Sequence, residues 1–81
     1  MSEVAASPTL DRLGPDESGR IARMGGDPTV VRRLMELGLV PGTRVRVVRR
    51  APFGDPIELE VRGVHLSLRR SEARLIHVER D

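Results

Sequence analysis

The strongest structural signal in the sequence is residues 43–62, TRVRVVRRAPFGDPIELEVR. Apolar and charged side chains alternate over residues 43–50 and again over residues 57–62, which is the pattern of two half-buried β-strands. The residues between these runs include two prolines and therefore form a loop. If Arg46 lies opposite Glu60, one face of the pair becomes aliphatic and the other pairs opposite charges. The sequence therefore predicts an antiparallel hairpin in this register rather than one slipped by a residue.

Immediately before the hairpin, the sequence predicts an α-helix over about residues 28–37. Asp27 is a favoured N-cap, and Pro28 at the first helical position loses no hydrogen bond. Four apolar side chains share one face at a 3.6-residue period: Val30, Val31, Leu34 and Leu37. Gly38 supplies the left-handed residue that commonly follows a helix, so we expect a helix buried on one face.

The remaining predicted elements are short. Further strands are expected over residues 9–13, 20–24, 64–68 and 75–79, with a single helical turn near residues 71–74. About five short strands with one inserted helix and one aromatic residue indicate a mainly β fold. A small, SH3-like, partly open β-barrel fits best, because closure removes the edges of a small sheet. We expect a disordered N-terminal tail over residues 1–8 and a single domain over residues 9–81.

The chain length and the net charge exclude several classes of function. With 81 residues the chain has room for one small core, which excludes most self-contained enzyme folds. The isoelectric point of about 10.9 points to a nucleic-acid binder, yet the net charge is only +2. All 14 basic residues are arginine and the chain lacks Lys, Tyr and Cys, so little titrates between the histidines and pH 12. The high isoelectric point thus reports missing buffering groups, and with one aromatic residue there is no stacking platform for bases. We expect no nucleic-acid partner.

The sequence also lacks the features of disulfide-stabilised proteins and of secreted or membrane-spanning proteins. Without cysteine there is no disulfide scaffold and no thiolate metal site. No apolar run is long enough for a signal peptide or a membrane span, so we expect a cytoplasmic protein without direct membrane insertion.

Nothing in the sequence predicts catalysis. Gly14 and Gly19 have the spacing of a phosphate-binding loop, but the Lys and Ser/Thr of that motif are absent, and Asp16 and Glu17 would repel phosphate. An ordinary β-turn is the better interpretation. The carboxylates are scattered and no Ser or Thr lies beside a histidine base, so we expect a protein that is not an enzyme.

The two histidines are weak candidate metal ligands. His65 and His77 each alternate with apolar neighbours and are expected on the outer faces of their strands. Two ligands without a nearby third make only a weak, adventitious site. The sequence therefore predicts no metal site and no cofactor.

Two apolar segments have alternative interpretations. Phe53, the only aromatic residue, lies in the loop of residues 51–56, and Leu39 and Val40 follow the predicted helix. These side chains either plug the open ends of the barrel or form an exposed apolar patch rimmed by Arg and Asp, which would be typical of a protein-binding site.

Three collinear segments resemble a known family. They are residues 32–42 (RRLMELGLVPG), 51–56 (APFGDP) and 66–73 (LSLRRSEA), and the match runs in register from about Thr9 to Glu79. They resemble the FeoA family of small ferrous iron transport proteins. The resemblance implies a cytosolic SH3-like domain that serves a bacterial ferrous iron uptake system. Its partner would be FeoB, a membrane permease with a GTP-binding domain.

From that resemblance we expect a non-enzymatic accessory or regulatory component that contacts the cytosolic part of the permease at the inner face of the cytoplasmic membrane. The predicted contact residues are Arg32, Arg33, Glu36, Leu39, Val40, Phe53, Gly54 and Asp55. The alternative is a small metal-sensing domain like the C-terminal domain of iron-dependent repressors, binding Fe²⁺ or another transition metal weakly. Weak self-association through an open barrel edge is also left open.

Overall fold

The computed structural model describes residues 7–81 and contains one small antiparallel sheet. Its elements in chain order are a 3-10 turn (Leu10–Arg12), β1 (Ser18–Met24), α1 (Pro28–Glu36), β2 (Arg44–Arg50), β3 (Ile57–Val61), β4 (Val64–Leu68), α2 (Arg70–Ala73) and β5 (Ile76–Arg80). The strands lie in the order β4-β3-β2-β1-β5, and the two edge strands β4 and β5 are not neighbours in it. The predicted mainly β, SH3-like, partly open barrel with one inserted helix is confirmed.

The β2–β3 hairpin forms in the predicted register. Arg46 lies opposite Glu60, and Val45 and Val47 lie opposite Val61 and Leu59, until the register shifts between Val47 and Arg49. The four aliphatic side chains are buried. On the other face the Arg46 guanidinium donates from Nη2 to Glu60 Oε1 at 2.6 Å. This hydrogen bond lowers the pKa of Glu60, and the nearby positive charge of Arg46 acts in the same direction.

The predicted first strand, residues 9–13, is wrong except for Thr9, which forms an isolated bridge with His77. Residues Leu10–Arg12 form a 3-10 turn instead. Leu10 and Leu13 are both fully buried. Because they are three residues apart, a 3-10 turn places them on the same face, whereas a strand would place them on opposite faces. The spacing of these two leucines therefore favours the turn.

Most of the predicted N-terminal tail lies outside the described residues. Of its described part, Pro8 packs along β5, where its carbonyl accepts a hydrogen bond from the Val78 N–H at 2.9 Å. Together with the Thr9 bridge, this covers part of the outer edge of β5. Among residues 7–81, the opposite edge strand, β4, pairs with β3 and with no other strand.

Helix α1 ends in a hydrogen-bonded motif that redirects the chain into the core. Gly38 has a φ of 101°, and its N–H donates to the Met35 carbonyl at 2.9 Å. The Leu39 N–H donates to the Leu34 carbonyl at 3.1 Å, which completes a Schellman motif. Leu34 and Leu39 are both fully buried, as the apolar contact of this motif requires.

The core is almost entirely aliphatic and draws on every element. Its buried members are Leu10, Leu13, Ile21, Leu34, Leu39, Val45, Val47, Ile57, Leu59, Val61, Leu68, Ala73, Ile76 and Val78. No helix within residues 7–81 is long and apolar enough to cross a membrane.

Candidate functional site

The loop between β2 and β3 presents the only aromatic side chain of the sequence to solvent. Two backbone hydrogen bonds close the loop: Ala51 N–H donates to the Pro56 carbonyl at 3.1 Å, and Gly54 N–H donates to the Ala51 carbonyl at 2.7 Å. Phe53, at the tip, is 93% exposed. Of the two interpretations left open for Phe53, the structure therefore favours an exposed apolar group over a plug in the barrel.

Asp55 ties this loop to α2. Its Oδ1 accepts a hydrogen bond from the Arg70 N–H at 3.0 Å, at the first residue of the short helix. A carboxylate in this position satisfies one of the backbone donors that a helix leaves free at its start. Asp55 thus has a local structural role as well as its predicted place on a contact surface.

On α1, the predicted contact residues Arg32, Arg33 and Glu36 are all exposed. Arg33 forms an ion pair with Glu72 of α2. Glu72 also accepts a hydrogen bond at Oε1 from the Arg69 N–H at 3.0 Å. Helix α2 therefore contacts both α1 and the Phe53 loop, and it joins the separate segments that carry the predicted contact residues.

The Glu72 carboxylate experiences opposing influences. Partial burial raises its pKa, but the hydrogen bonds from Arg33 and from the Arg69 N–H together outweigh this effect and lower it. The carboxylate is therefore charged at neutral pH, and the contact between α1 and α2 is an ion pair.

The prediction that Leu39 lies on the exposed surface is wrong. Its side chain is fully buried and Val40 is half-buried, because the Schellman motif after α1 turns Leu39 inward. For Leu39 the other interpretation, an apolar group that closes the barrel, is the one that holds.

Sequence reasoning missed two exposed apolar residues, one on α1 and one directly after it. Leu37, predicted on the buried face, is 45% exposed, and Met35 is 41% exposed. At about 100° per residue, Met35 lies a quarter-turn or more from Leu34, the centre of the buried face. The angular position of Met35 is thus the sequence signal for its exposure, whereas Leu37 is exposed because the helix ends there.

The histidines do not form a common site. His65 is exposed on β4 and His77 is half-buried on β5, at the two opposite edges of the sheet. Across the part of the chain that the structure describes, no three or more His, Asp or Glu side chains are grouped so that they could hold a metal ion. The structure therefore assembles no ligand set around these two residues.

The segment between Gly14 and Gly19 begins with an ordinary turn, as predicted, and Gly19 itself lies in β1. The Glu17 N–H donates to the Gly14 carbonyl at 3.0 Å, and the Gly14 N–H donates to Glu17 Oε1 at 2.6 Å. Because the Gly14 N–H already donates a hydrogen bond to the Glu17 carboxylate, it is not available to bind a phosphate group.

Comparison with known proteins gives the family. The model of the FeoA domain family matches residues 9–80. The chain belongs to the FeoA family. A related fusion protein from Porphyromonas gingivalis, named as Fe(2+) transport protein A joined to the Fe(2+) transporter FeoB, is 34% identical over 70 residues. The match covers 86% of this FeoA chain but only 8% of the fusion protein. The FeoA family is thus linked to ferrous iron transport through this fusion protein.

Solved structures support the fold. The NMR structure of a FeoA-like protein from Clostridium acetobutylicum is 36% identical, with a TM-score of 0.85 over 91% of this chain and 86% of that chain. A manganese-dependent transcriptional repressor in complex with manganese matches with a TM-score of 0.87 over 94% of this chain and 37% of the repressor. At 24% identity, this second likeness shows a shared fold. The FeoA fold therefore occurs both in iron transport proteins and as part of a larger repressor chain.

Proposed function

We propose that this FeoA domain is a non-enzymatic accessory component of ferrous iron uptake, which acts by contact with the cytosolic part of a FeoB-type permease. The observation that carries the proposal is the fusion protein, in which a related domain and a FeoB transporter are one chain. A covalent link maintains two domains at high effective concentration. Where the domains are separate chains, the same proximity requires non-covalent binding.

The exposed groups around α1 and the Phe53 loop support this proposal. Phe53, Met35 and Leu37 are large apolar side chains that the core does not bury. Arg32 and Glu36 are exposed on the helix that carries Met35 and that Leu37 directly follows. Aromatic residues, Met and Arg are enriched at protein interfaces. We therefore assign the contact to the exposed side of α1 together with the Phe53 loop, and Leu39 supports this surface from inside the core.

The proposal places the domain at the inner face of the cytoplasmic membrane, where the permease presents its GTP-binding domain. In this proposal the FeoA domain regulates the permease by binding to it. Because aliphatic side chains fill the core, we assign the binding of the permease to the exposed surface of the domain.

A binding measurement with matched variants tests the proposal. The cytosolic part of the permease from the same organism is titrated into wild-type protein, Phe53→Ser and Val64→Ser. Val64 is a suitable control because it is also an exposed apolar residue, 57% exposed, but lies on β4 outside the assigned surface. We expect Phe53→Ser to raise Kd by at least about tenfold, as loss of an aromatic anchor does. We expect Val64→Ser to stay within about twofold, as for a neutral surface change.

The two failures are distinguishable. Wild-type protein that does not bind the permease contradicts the proposed function. Wild-type binding that Phe53→Ser leaves unchanged contradicts only the assigned surface.

The alternative of a metal-sensing domain makes a separate prediction. It requires specific Fe²⁺ binding under anaerobic conditions that is lost in His65→Ala and in His77→Ala. Since these residues lie at opposite edges of the sheet, we expect neither substitution to change the titration. Loss of a stoichiometric site in either variant would favour the alternative.

A further inference from the structure

An open cleft of about 700 Å³ adjoins the base of the Phe53 loop. Its walls carry four arginines and a single carboxylate: Arg12, Arg50, Arg70, Arg74 and Asp11. These residues come from three separate parts of the chain, namely the 3-10 turn, the end of β2, and α2 with the residue after it. Arg50 directly precedes the loop, and the Arg70 N–H is bound to Asp55 within it. The cleft thus lies next to the loop that carries Phe53.

The single carboxylate does not neutralise the cleft. Asp11 is only 7% exposed; it accepts a hydrogen bond from the Thr9 hydroxyl, and its Oδ2 lies 3.8 Å from Arg74 Nε. It therefore offsets at most one positive charge. Within residues 7–81, the guanidinium groups of Arg12 and Arg70 have neither a salt bridge nor a hydrogen bond.

Arg50 is held in place by backbone carbonyls. Its Nη2 donates to the carbonyls of Asp11 and Leu13, which fixes the guanidinium against the end of the 3-10 turn. Its Nε is buried and has no hydrogen-bond partner within the described part of the chain. No acidic side chain among these residues pairs with Arg50, so its charge also remains uncompensated.

About half of the arginines outside the cleft are paired with acidic side chains in the part of the chain that the structure describes. Arg33, Arg46 and Arg49 each pair with a glutamate of a neighbouring element. Arg44 and Arg80 also lie within salt-bridge distance of acidic side chains. What distinguishes the cleft is clustering: among residues 7–81, three arginines without an acidic partner (Arg12, Arg50 and Arg70) line one concave surface, which makes a local excess of positive charge.

We propose that this cleft binds an acidic segment of the permease chain, beside the contact made by Phe53. The inference rests on the proposed function and specifies the chemistry of its partner. Guanidinium groups bind carboxylates through paired, charge-assisted hydrogen bonds, and desolvation at an interface strengthens them. The cleft itself contains no aromatic side chain on which a base could stack. A concave site also suits a protruding chain better than the flat surface of a bilayer.

The test compares two double variants that each remove two positive charges. Arg70→Gln/Arg74→Gln removes charge from the cleft. Arg23→Gln/Arg62→Gln is the control, because both residues are exposed and lie outside the cleft. Thermal unfolding first checks that both variants are folded. Kd for the cytosolic part of the permease is then measured by calorimetry at about 50 mM and about 200 mM salt, a range over which screening of exposed charges grows substantially.

We expect the cleft variant to raise Kd by about tenfold or more at low salt, and the control to change it by less than about threefold, as charge pairs at an interface outweigh remote charges. We also expect wild-type binding to weaken with salt, and the cleft variant to lose most of that dependence. Wild-type binding that the cleft variant leaves unchanged overturns the inference while the proposed function stands. Absence of wild-type binding overturns both.

A second arm tests a lipid surface as the source of the negative charge. Wild-type protein and the cleft variant are incubated with phosphatidylglycerol vesicles. We expect no co-sedimentation of either protein at about 200 mM salt, where electrostatic attraction to a surface is screened. Vesicle binding that depends on Arg70 and Arg74, combined with unchanged permease binding, would replace the acidic segment by an anionic lipid surface.

Discussion

Leu39 and Phe53 are both large apolar residues in short segments outside the regular elements, one after α1 and the other between β2 and β3. Leu39 is fully buried, whereas Phe53 is 93% exposed. Their hydrophobicity is similar, so it does not explain the difference. The backbone motif around each residue does.

After α1, the hydrogen bonds of the Schellman motif hold Leu39, five residues after Leu34, against the core. In the loop, the Ala51 N–H donates to the Pro56 carbonyl and the Gly54 N–H donates to the Ala51 carbonyl, which closes a compact turn. Phe53 lies at its tip and has nothing to pack against. The comparison teaches that in a small barrel the turn type determines which apolar side chains remain for a partner.

The largest expected effect is on the buried side of this comparison. Leu39→Ala should lower the free energy of unfolding by about 2–5 kcal/mol, because it removes buried methyl groups and leaves a cavity. Urea denaturation measures the change, with Leu37→Ala as the control because Leu37, two residues earlier, is 45% exposed. A loss below about 1 kcal/mol for Leu39→Ala would mean that the core closes without this side chain.

A smaller effect tests whether the motif itself places Leu39. Gly38→Ala should cost about 1–2 kcal/mol, since its φ of 101° is a left-handed conformation that a Cβ disfavours. If Gly38 acts by seating Leu39, the Gly38→Ala/Leu39→Ala double variant should lose less than the sum of the two single losses. If the loss of unfolding free energy in the double variant equals the sum of the two single losses, Gly38 does not act through the burial of Leu39.

On the exposed side, Phe53→Ser should leave stability within about 0.5 kcal/mol of wild type, as is usual for surface substitutions. The same denaturation assay measures this stability. The measurement is also the folding control for the binding experiment with Phe53→Ser. A loss as large as that of Leu39→Ala would show that Phe53 supports the fold after all.

The smallest expected effect concerns Glu72 on α2, the helix that contacts both α1 and the Phe53 loop. Its pKa is lowered in the folded protein, so its contribution to stability is present above the ordinary glutamate value of 4.5 and is lost as pH falls through the lower folded value. Wild-type stability should therefore decline in acid below about pH 4.5. Glu72→Gln should reduce the steepness of that decline and lower stability slightly at pH 7. An unchanged acid slope would mean that the Arg33–Glu72 pair does not contribute.

Much of this fold could be predicted from local pattern. The β2–β3 register followed from charge alternation at Arg46 and Glu60, and the start of α1 followed from Asp27 and Pro28. The strand predicted over residues 9–13 is wrong because the three-residue spacing of Leu10 and Leu13 matches the period of a 3-10 turn and not that of a strand. The exposure of Leu37 and the burial of Leu39 depend on where the helix ends and how it is capped, which periodicity alone does not specify.

The candidate surface was predictable only in part. Exposed positions on α1 followed from helical periodicity, and a loop at residues 51–56 followed from its prolines. The contacts that α2 makes with Arg33 and with Asp55 are long-range, and no spacing in the sequence indicates them. The same holds for the cleft, whose arginines are separated by up to 62 positions, from Arg12 to Arg74.

The central claim is that this domain works through contact between its exposed surface and a FeoB-type permease. Amide hydrogen exchange of the full chain, with and without a saturating amount of the cytosolic part of the permease, tests it most directly. The account predicts slower exchange at residues 51–56, at α2 and at the exposed residues of α1, with the β3–β4 turn unchanged. Unchanged exchange throughout the chain, or slowing confined to the β3–β4 turn, would contradict it.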